Sequence, residues 1–184
     1  MLPIRLVAGL GNPGRRYAAT RHNAGFWFAD ALAAKLGVSM AHESRFGSEV
    51  GKKDDLRLAK PSTYMNDSGR AVAALARFFA VSPDELLIVH DELDLPFGRL
   101  RIRTGGSSAG NHGLDSLIGS FGTKTFPRIR VGVGRPVGDA VDYVLSPFTD
   151  DERARLPDLI RRVADAVEYT VEHGLDRAMT EFNR

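Results

Sequence analysis

The sequence contains no cysteine. Disulfides and thiolate metal sites are therefore excluded, and the composition fits a reducing compartment. Long hydrophobic runs are missing too, so no segment is expected to span a bilayer. The opening "MLPIRLVAGLGNPG" has too short an apolar run, and no basic lead, for a signal peptide. A cytoplasmic location is expected. Neither sign of charge is in large excess: 25 Lys and Arg against 23 Asp and Glu leave a net charge of +2. Partners must be sought in how that charge is distributed. Repeats, low-complexity tracts and linkers are also lacking. The 184 residues then imply one domain, 1–184, long enough to bury a full core. Hydrophobic residues at 43% and charged residues at 26% suit a soluble globular chain.

What is present alternates between strand and helix patterns. "IRLVAGL" (4–10) reads as a buried strand ended by the Asn12-Pro13-Gly14 turn. "NAGFWFADALAAKLG" (23–37) reads as a helix closed by Gly37. Two extended runs flank "KKDD" within 46–60, and "NDSGRAVAALARFFA" (66–80) is a second helix, capped by Asn66 or Ser68. "LLIVHDE" (86–92) is a buried strand; "GRLRIRT" and "RIRVGVG" are further strands. "HGLDSLIGSF" (112–121) is a short helix. Thr149-x-x-Glu152 is a capping box that opens a long tail helix, with Gly174 as its stop. This order predicts a single three-layer α/β domain: a twisted mixed sheet with helices on both faces. Sites in such sheets gather at the carboxyl ends of strands.

Three motifs invite other readings. Gly9-x-Gly11-x-x-Gly14 matches a dinucleotide fingerprint. That site needs a helix starting at the loop and an acidic residue about 20 positions on, at a strand end. Here the helix starts near Asn23, and Asp30 falls inside it, so the glycines are assigned to a tight turn. "GSSAG" (106–110) matches the Gly-x-Ser-x-Gly elbow of serine hydrolases and lies between a strand and a helix. A Ser108 nucleophile served by a downstream Asp and His173 is the alternative enzyme reading; a flexible loop at a ligand-binding edge is the plainer one. "HDELD" (90–94) has neither EF-hand nor His-Glu-x-x-His spacing, so hydrogen-bonding carboxylates are expected there, not a metal. Alternation along an extended segment places His90, Glu92 and Asp94 on one side.

The segments "GLGNPGRRYAATRHNAGF" (9–26), "KPSTYMNDSGRAV" (60–72), "IVHDELDLPFGRLRIRTGG" (88–106), "FPRIRVGVGRP" (126–136) and "YVLSPF" (143–148) together resemble the bacterial peptidyl-tRNA hydrolase family. The likeness runs along nearly the whole chain, with the motifs in the family's order. It implies hydrolysis of the ester joining a peptide to the 3′-terminal ribose of tRNA. It also implies no metal or cofactor, a monomer, and no protein partner or membrane.

An ester needs only a positioned water and one good base. Histidine suits the task, because an unperturbed imidazole titrates near ~6.5. A carboxylate on the other ring nitrogen fixes the tautomer and stabilises the imidazolium. By resemblance, His22 is the base and Asp94 its partner. Asn66 matches the asparagine that places substrate or water, with helix capping as its structural alternative. Asn12 matches the residue that tells blocked from free aminoacyl ends. Tyr17 and Tyr64 match positions lining the site for the tRNA end, where an aromatic face can stack on a base or sugar.

One departure stands out. The family reads Gly-Gly-His-Asn-Gly-Leu where this chain has "AGNHGL" (109–114). Asn111 stands at the His position and His112 at the Asn position. His112 is carried over as a substrate-site residue able to donate one hydrogen bond, and Asn111 as a local substitute. Arg103 and Arg130 match basic positions used for tRNA phosphates. Arg101 with Arg103, and Arg128 with Arg130, would form a cationic patch if their strands are neighbours. A non-catalytic RNA-binding module is the remaining alternative.

Overall fold

The computed structural model describes residues 3–184. Its frame is a seven-stranded sheet built from β1 (Leu6–Gly9), β2 (Ala41–Glu43), β3 (Ser48–Lys53), β4 (Leu56–Pro61), β5 (Leu86–Glu92), β6 (Leu100–Arg103) and β7 (Arg128–Gly132). The strand order is β2-β3-β4-β1-β5-β7-β6. The four central strands run parallel. β2 and β3 at one edge and β6 at the other are antiparallel to their neighbours.

Central strands of such a sheet are buried on both faces, and their side chains alternate between two cores. Val7, Leu87 and Val89 meet α1 (Ala24–Leu36), α5 (Asp150–His173) and α6 (Leu175–Phe182) on one side. Leu6, Ala8, Leu86 and Ile88 meet α2 (Ser68–Phe78) and α3 (His112–Phe121) on the other. This is the expected three-layer arrangement. A five-residue helix, α4 (Ala140–Val144), lies outside the layers.

The glycines of the first turn serve packing. A Cβ on Gly9 would lie 2.0 Å from the Gly25 carbonyl oxygen, and one on Gly25 would lie 2.3 Å from the Leu10 nitrogen. β1 and α1 therefore approach as only two glycines allow. Gly14, at φ +93°, completes the turn. This close approach fixes the two residues before α1 beneath the end of β1.

α2 differs from its expected form. A 3-10 turn, Met65–Asp67, leads into it, and the residue at its N-cap is Asp67, which makes no side-chain capping bond. Asn66 sits inside the turn instead of capping the helix. Ser68 Oγ is buried without a partner among the described residues. The tail helix does open on the Thr149/Glu152 capping box, but Gly174 joins it directly to α6.

Candidate active site

The carboxyl ends of β1 and β5, the Met65–Asp67 turn, the start of α3 and α4 surround a cleft of about 380 Å³. Its polar lining includes Asn12, His22, Asn66, Asp91, Ser108 and Asn111, with His112 at the rim; Tyr64, Met65, Val141, Val144 and Leu145 contribute apolar surface.

His22 lies in a 3-10 turn, Arg21–Asn23, pressed between β1 and α1. Its Nδ1 is 2.9 Å from Oδ2 of Asp91. A carboxylate only accepts, so Nδ1–H is the donor, and in the neutral ring the lone pair lies on Nε2. Among the described residues Nε2 has no hydrogen-bond partner, and the ring borders the cleft.

The carboxylate partner is thus Asp91, in place of the expected Asp94. The Asp94 side chain is 57% exposed and pairs with Arg135 at 3.4 Å, whereas that of Asp91 is 2% exposed. The physical reason is strand parity. Asp91 shares the side of β5 that carries Leu87 and Val89, the side against which α1 and its leading turn pack. β5 ends at Glu92, and the chain turns before Asp94, so the alternation read from sequence does not extend that far.

Asn12 is held at both ends. Its backbone N–H donates to Asn23 Oδ1 at 2.8 Å, and its carbonyl accepts from Asn23 Nδ2 at 2.8 Å. Its own Oδ1 accepts the Met65 N–H at 2.8 Å. The Nδ2 group remains as a donor with no acceptor among the described residues. Asn66 makes no side-chain hydrogen bond among the described residues and borders the cleft. Asn111 caps α3 by accepting the Leu114 N–H at 3.1 Å and donates from Nδ2 to Asp91 Oδ1, also at 3.1 Å. His112 points outward, its side chain 65% exposed and 4.0 Å from the Asp115 carboxylate.

A sequence model of the family described as peptidyl-tRNA hydrolase matches residues 6–184. The chain belongs to the peptidyl-tRNA hydrolase family. It is 48% identical over 184 residues to a peptidyl-tRNA hydrolase of Chloroflexus aggregans, covering 97% of this chain and 98% of that one. To a peptidyl-tRNA hydrolase of Mycobacterium ulcerans it is 50% identical over 179 residues, covering 94% of each. The crystal structure of peptidyl-tRNA hydrolase from Acinetobacter baumannii matches with a TM-score of 0.93 at 36% identity, covering 98% of this chain and 94% of that one. The fold and the family are those that the sequence motifs implied.

Other expected residues of this family member divide into two groups. Tyr17 and Tyr64 stand edge to face with centroids 6.4 Å apart, Tyr64 lining the cleft and 61% exposed. β6 and β7 are neighbours, with Arg101 opposite Arg130 and Arg103 opposite Arg128. The four arginines do not form one patch, however. Arg128 is buried and donates to the carbonyls of Ser107, Gly106 and Lys124. Burial, reinforced by the neighbouring Arg130, lowers its pKa to about 10, so it stays charged at neutral pH. Arg130 donates from Nε to Glu92 at 2.7 Å. Arg101 donates to the Asn183 carbonyl, and Arg103 is exposed.

For the serine-elbow alternative, Ser108, which also lines the cleft, does not hydrogen-bond to a base among the described residues. The hydrogen bond that Ser108 Oγ makes among the described residues is from the Gly110 N–H, and His173 lies at the far end of α5 beside Glu172. No group of three or more His, Asp or Glu among the described residues is placed to hold a metal. No described helix is long and apolar enough to cross a membrane.

Two site residues escaped the sequence reading. Asp91 could have been found by ending the alternation of "LLIVHDE" at the strand terminus. Arg21 gave no signal beyond its place in "TRHN". Its guanidinium is buried among Ser146 Oγ, the Pro147 carbonyl and Glu152, and stacks on Tyr143 at 4.3 Å. It fastens the turn bearing His22 to the start of α5.

Proposed function

We propose that this protein hydrolyses the ester between a peptide and the 3′-terminal ribose of tRNA, with His22 as general base. The observation that carries the reading is the imidazole itself: Nδ1 on a buried carboxylate, Nε2 free at a cleft wall. In the reaction, Nε2 takes a proton as a water oxygen bonds to the ester carbon. Asp91 stabilises the imidazolium. The tetrahedral intermediate then collapses, the carbon–oxygen bond to the ribose breaks, and the imidazolium returns the proton to the departing ribose oxygen.

The negative oxygen of the intermediate needs donors that require no rearrangement. The free amide of Asn66 supplies one. Asn12 discriminates among acyl groups. With its Oδ1 bound to Met65, it offers only N–H, which pairs with the carbonyl of a blocked amino group. A free ammonium has only donors and gains nothing there. Val141, Val144 and Leu145 receive apolar peptide side chains. Tyr17 and Tyr64 receive the tRNA end, and His112 donates at the rim.

Arg103 and Arg130 meet phosphates, with Arg103 the stronger contact because Glu92 already neutralises part of Arg130. Few such contacts imply salt-sensitive, largely sequence-blind binding, with specificity residing in the ester and its acyl group. The enzyme works in the cytoplasm as a monomer, without metal or cofactor, recycling tRNA for translation.

The test is incubation with N-acetyl-aminoacyl-tRNA and, separately, its unblocked counterpart, following release of free tRNA. The blocked substrate is hydrolysed much faster. Equal rates would overturn the role of Asn12; no turnover of either would leave a binding module.

A further inference from the structure

The Asp91 carboxylate is buried and has two oxygens to satisfy. Oδ2 accepts from His22 and Oδ1 accepts from Asn111 Nδ2 at 3.1 Å. The Asn111 amide cannot turn over, because its oxygen accepts the first-turn N–H of Leu114. A flip would set that oxygen against a carboxylate oxygen and leave the helix N–H unpaired. The start of α3 therefore sets the amide, the amide sets the carboxylate, and the carboxylate sets the ring of His22.

We propose that Asn111 is a positioning residue for ester hydrolysis, acting through Asp91 on His22 and not through substrate. This rests on the reading of His22 as the base. It also gives the reversed Asn111-His112 order a physical meaning. The side chain against Asp91 is a neutral amide, whose donor state does not depend on a tautomer or a proton. The imidazole, His112, is turned out to the rim.

Two variants separate positioning from capping and from substrate contact. Asn111→Ser keeps a capping oxygen for Leu114 but is too short to reach Asp91. Asn111→Asp keeps both shape and cap while replacing the donor with a second carboxylate oxygen. With N-acetyl-aminoacyl-tRNA, the Ser variant is expected to lose about tenfold in kcat, with KM changed less than about twofold, the pattern of a lost hydrogen bond to a charged group. The Asp variant is expected to lose more. Should the Ser variant not fold, the Asp variant carries the test, since Asp is among the best N-cap residues.

The free protein gives a second readout: the downfield proton resonance of His22 Nδ1–H, visible in the native enzyme and broadened or lost in both variants. Native kcat in a folded variant overturns the proposal. So does a raised KM with native kcat, which would make Asn111 a substrate contact. If the native protein does not turn over this substrate, the assigned function fails separately. The resonance then decides the positioning claim: unchanged refutes it, broadened or lost upholds it.

Discussion

Two imidazoles lean on the same residue. His22 donates from Nδ1 to the side chain of Asp91 at 2.9 Å; His90 donates from Nδ1 to the backbone carbonyl of Asp91 at 2.6 Å. Both are buried. The far nitrogens differ in circumstance as well as the acceptors. His22 Nε2 borders the cleft, while His90 Nε2 is sealed in the core with no partner among the described residues. A carboxylate balances the charge of an imidazolium, and a carbonyl does so only weakly. Burial accordingly holds His90 below its ordinary pKa, against the opposing pull of Asp91 and Glu92. Burial disfavours the protonated form of the core ring; the ring at the cleft is the proposed base.

The largest effect expected is on the first ring. His22→Ala should lower kcat by about 10³-fold or more, within the range for loss of a general base, while leaving tRNA affinity nearly unchanged. Retained turnover would remove any functional difference between the two histidines. Next comes the shared residue. Asp91→Asn should cost roughly 10²-fold or more in kcat by disturbing tautomer and charge, whereas Asp94→Asn should cost less than about threefold. A reversed order would restore the sequence expectation for Asp94. Arg103→Ala should lower the slope of log affinity against log salt by about 1, with little change in kcat at saturating substrate.

The smallest effect concerns His90. Its folded pKa is depressed, so below about 6.5 the unfolded chain binds a proton that the folded protein refuses. Stability is therefore lost as pH falls through that value, by up to ~1.4 kcal/mol per pH unit, and the loss stops only below the folded pKa. Denaturant unfolding at about pH 7.5 and pH 5.5 should show this fall, and His90→Asn should reduce it. An equal fall in both proteins would mean that other groups govern it.

Much of the frame was legible because burial on both sheet faces leaves runs that only a central strand can use. β5 covers 86–92 and α3 covers 112–121, as their patterns predict. Short or exposed elements left no such trace. β2 is three exposed residues at an edge, α4 is five residues, and α6 follows Gly174, which reads as a stop. The arginines show the same limit in the site. Alternation placed Arg101, Arg103, Arg128 and Arg130, yet could not tell that three carbonyls would enclose Arg128.

The sequence alone determined the α/β class, the family and a candidate base, because periodicity, capping and densely spaced motifs are properties of neighbours along the chain. The tertiary structure alone decided which acid pairs with His22, that Asn111 donates to that acid, and which face of Asn12 remains free. Those choices depend on where strands end and which amides are already engaged. Both are set by contacts between segments far apart in sequence: His22 and Asp91 are 69 positions apart, and Asn12 and Met65 are 53.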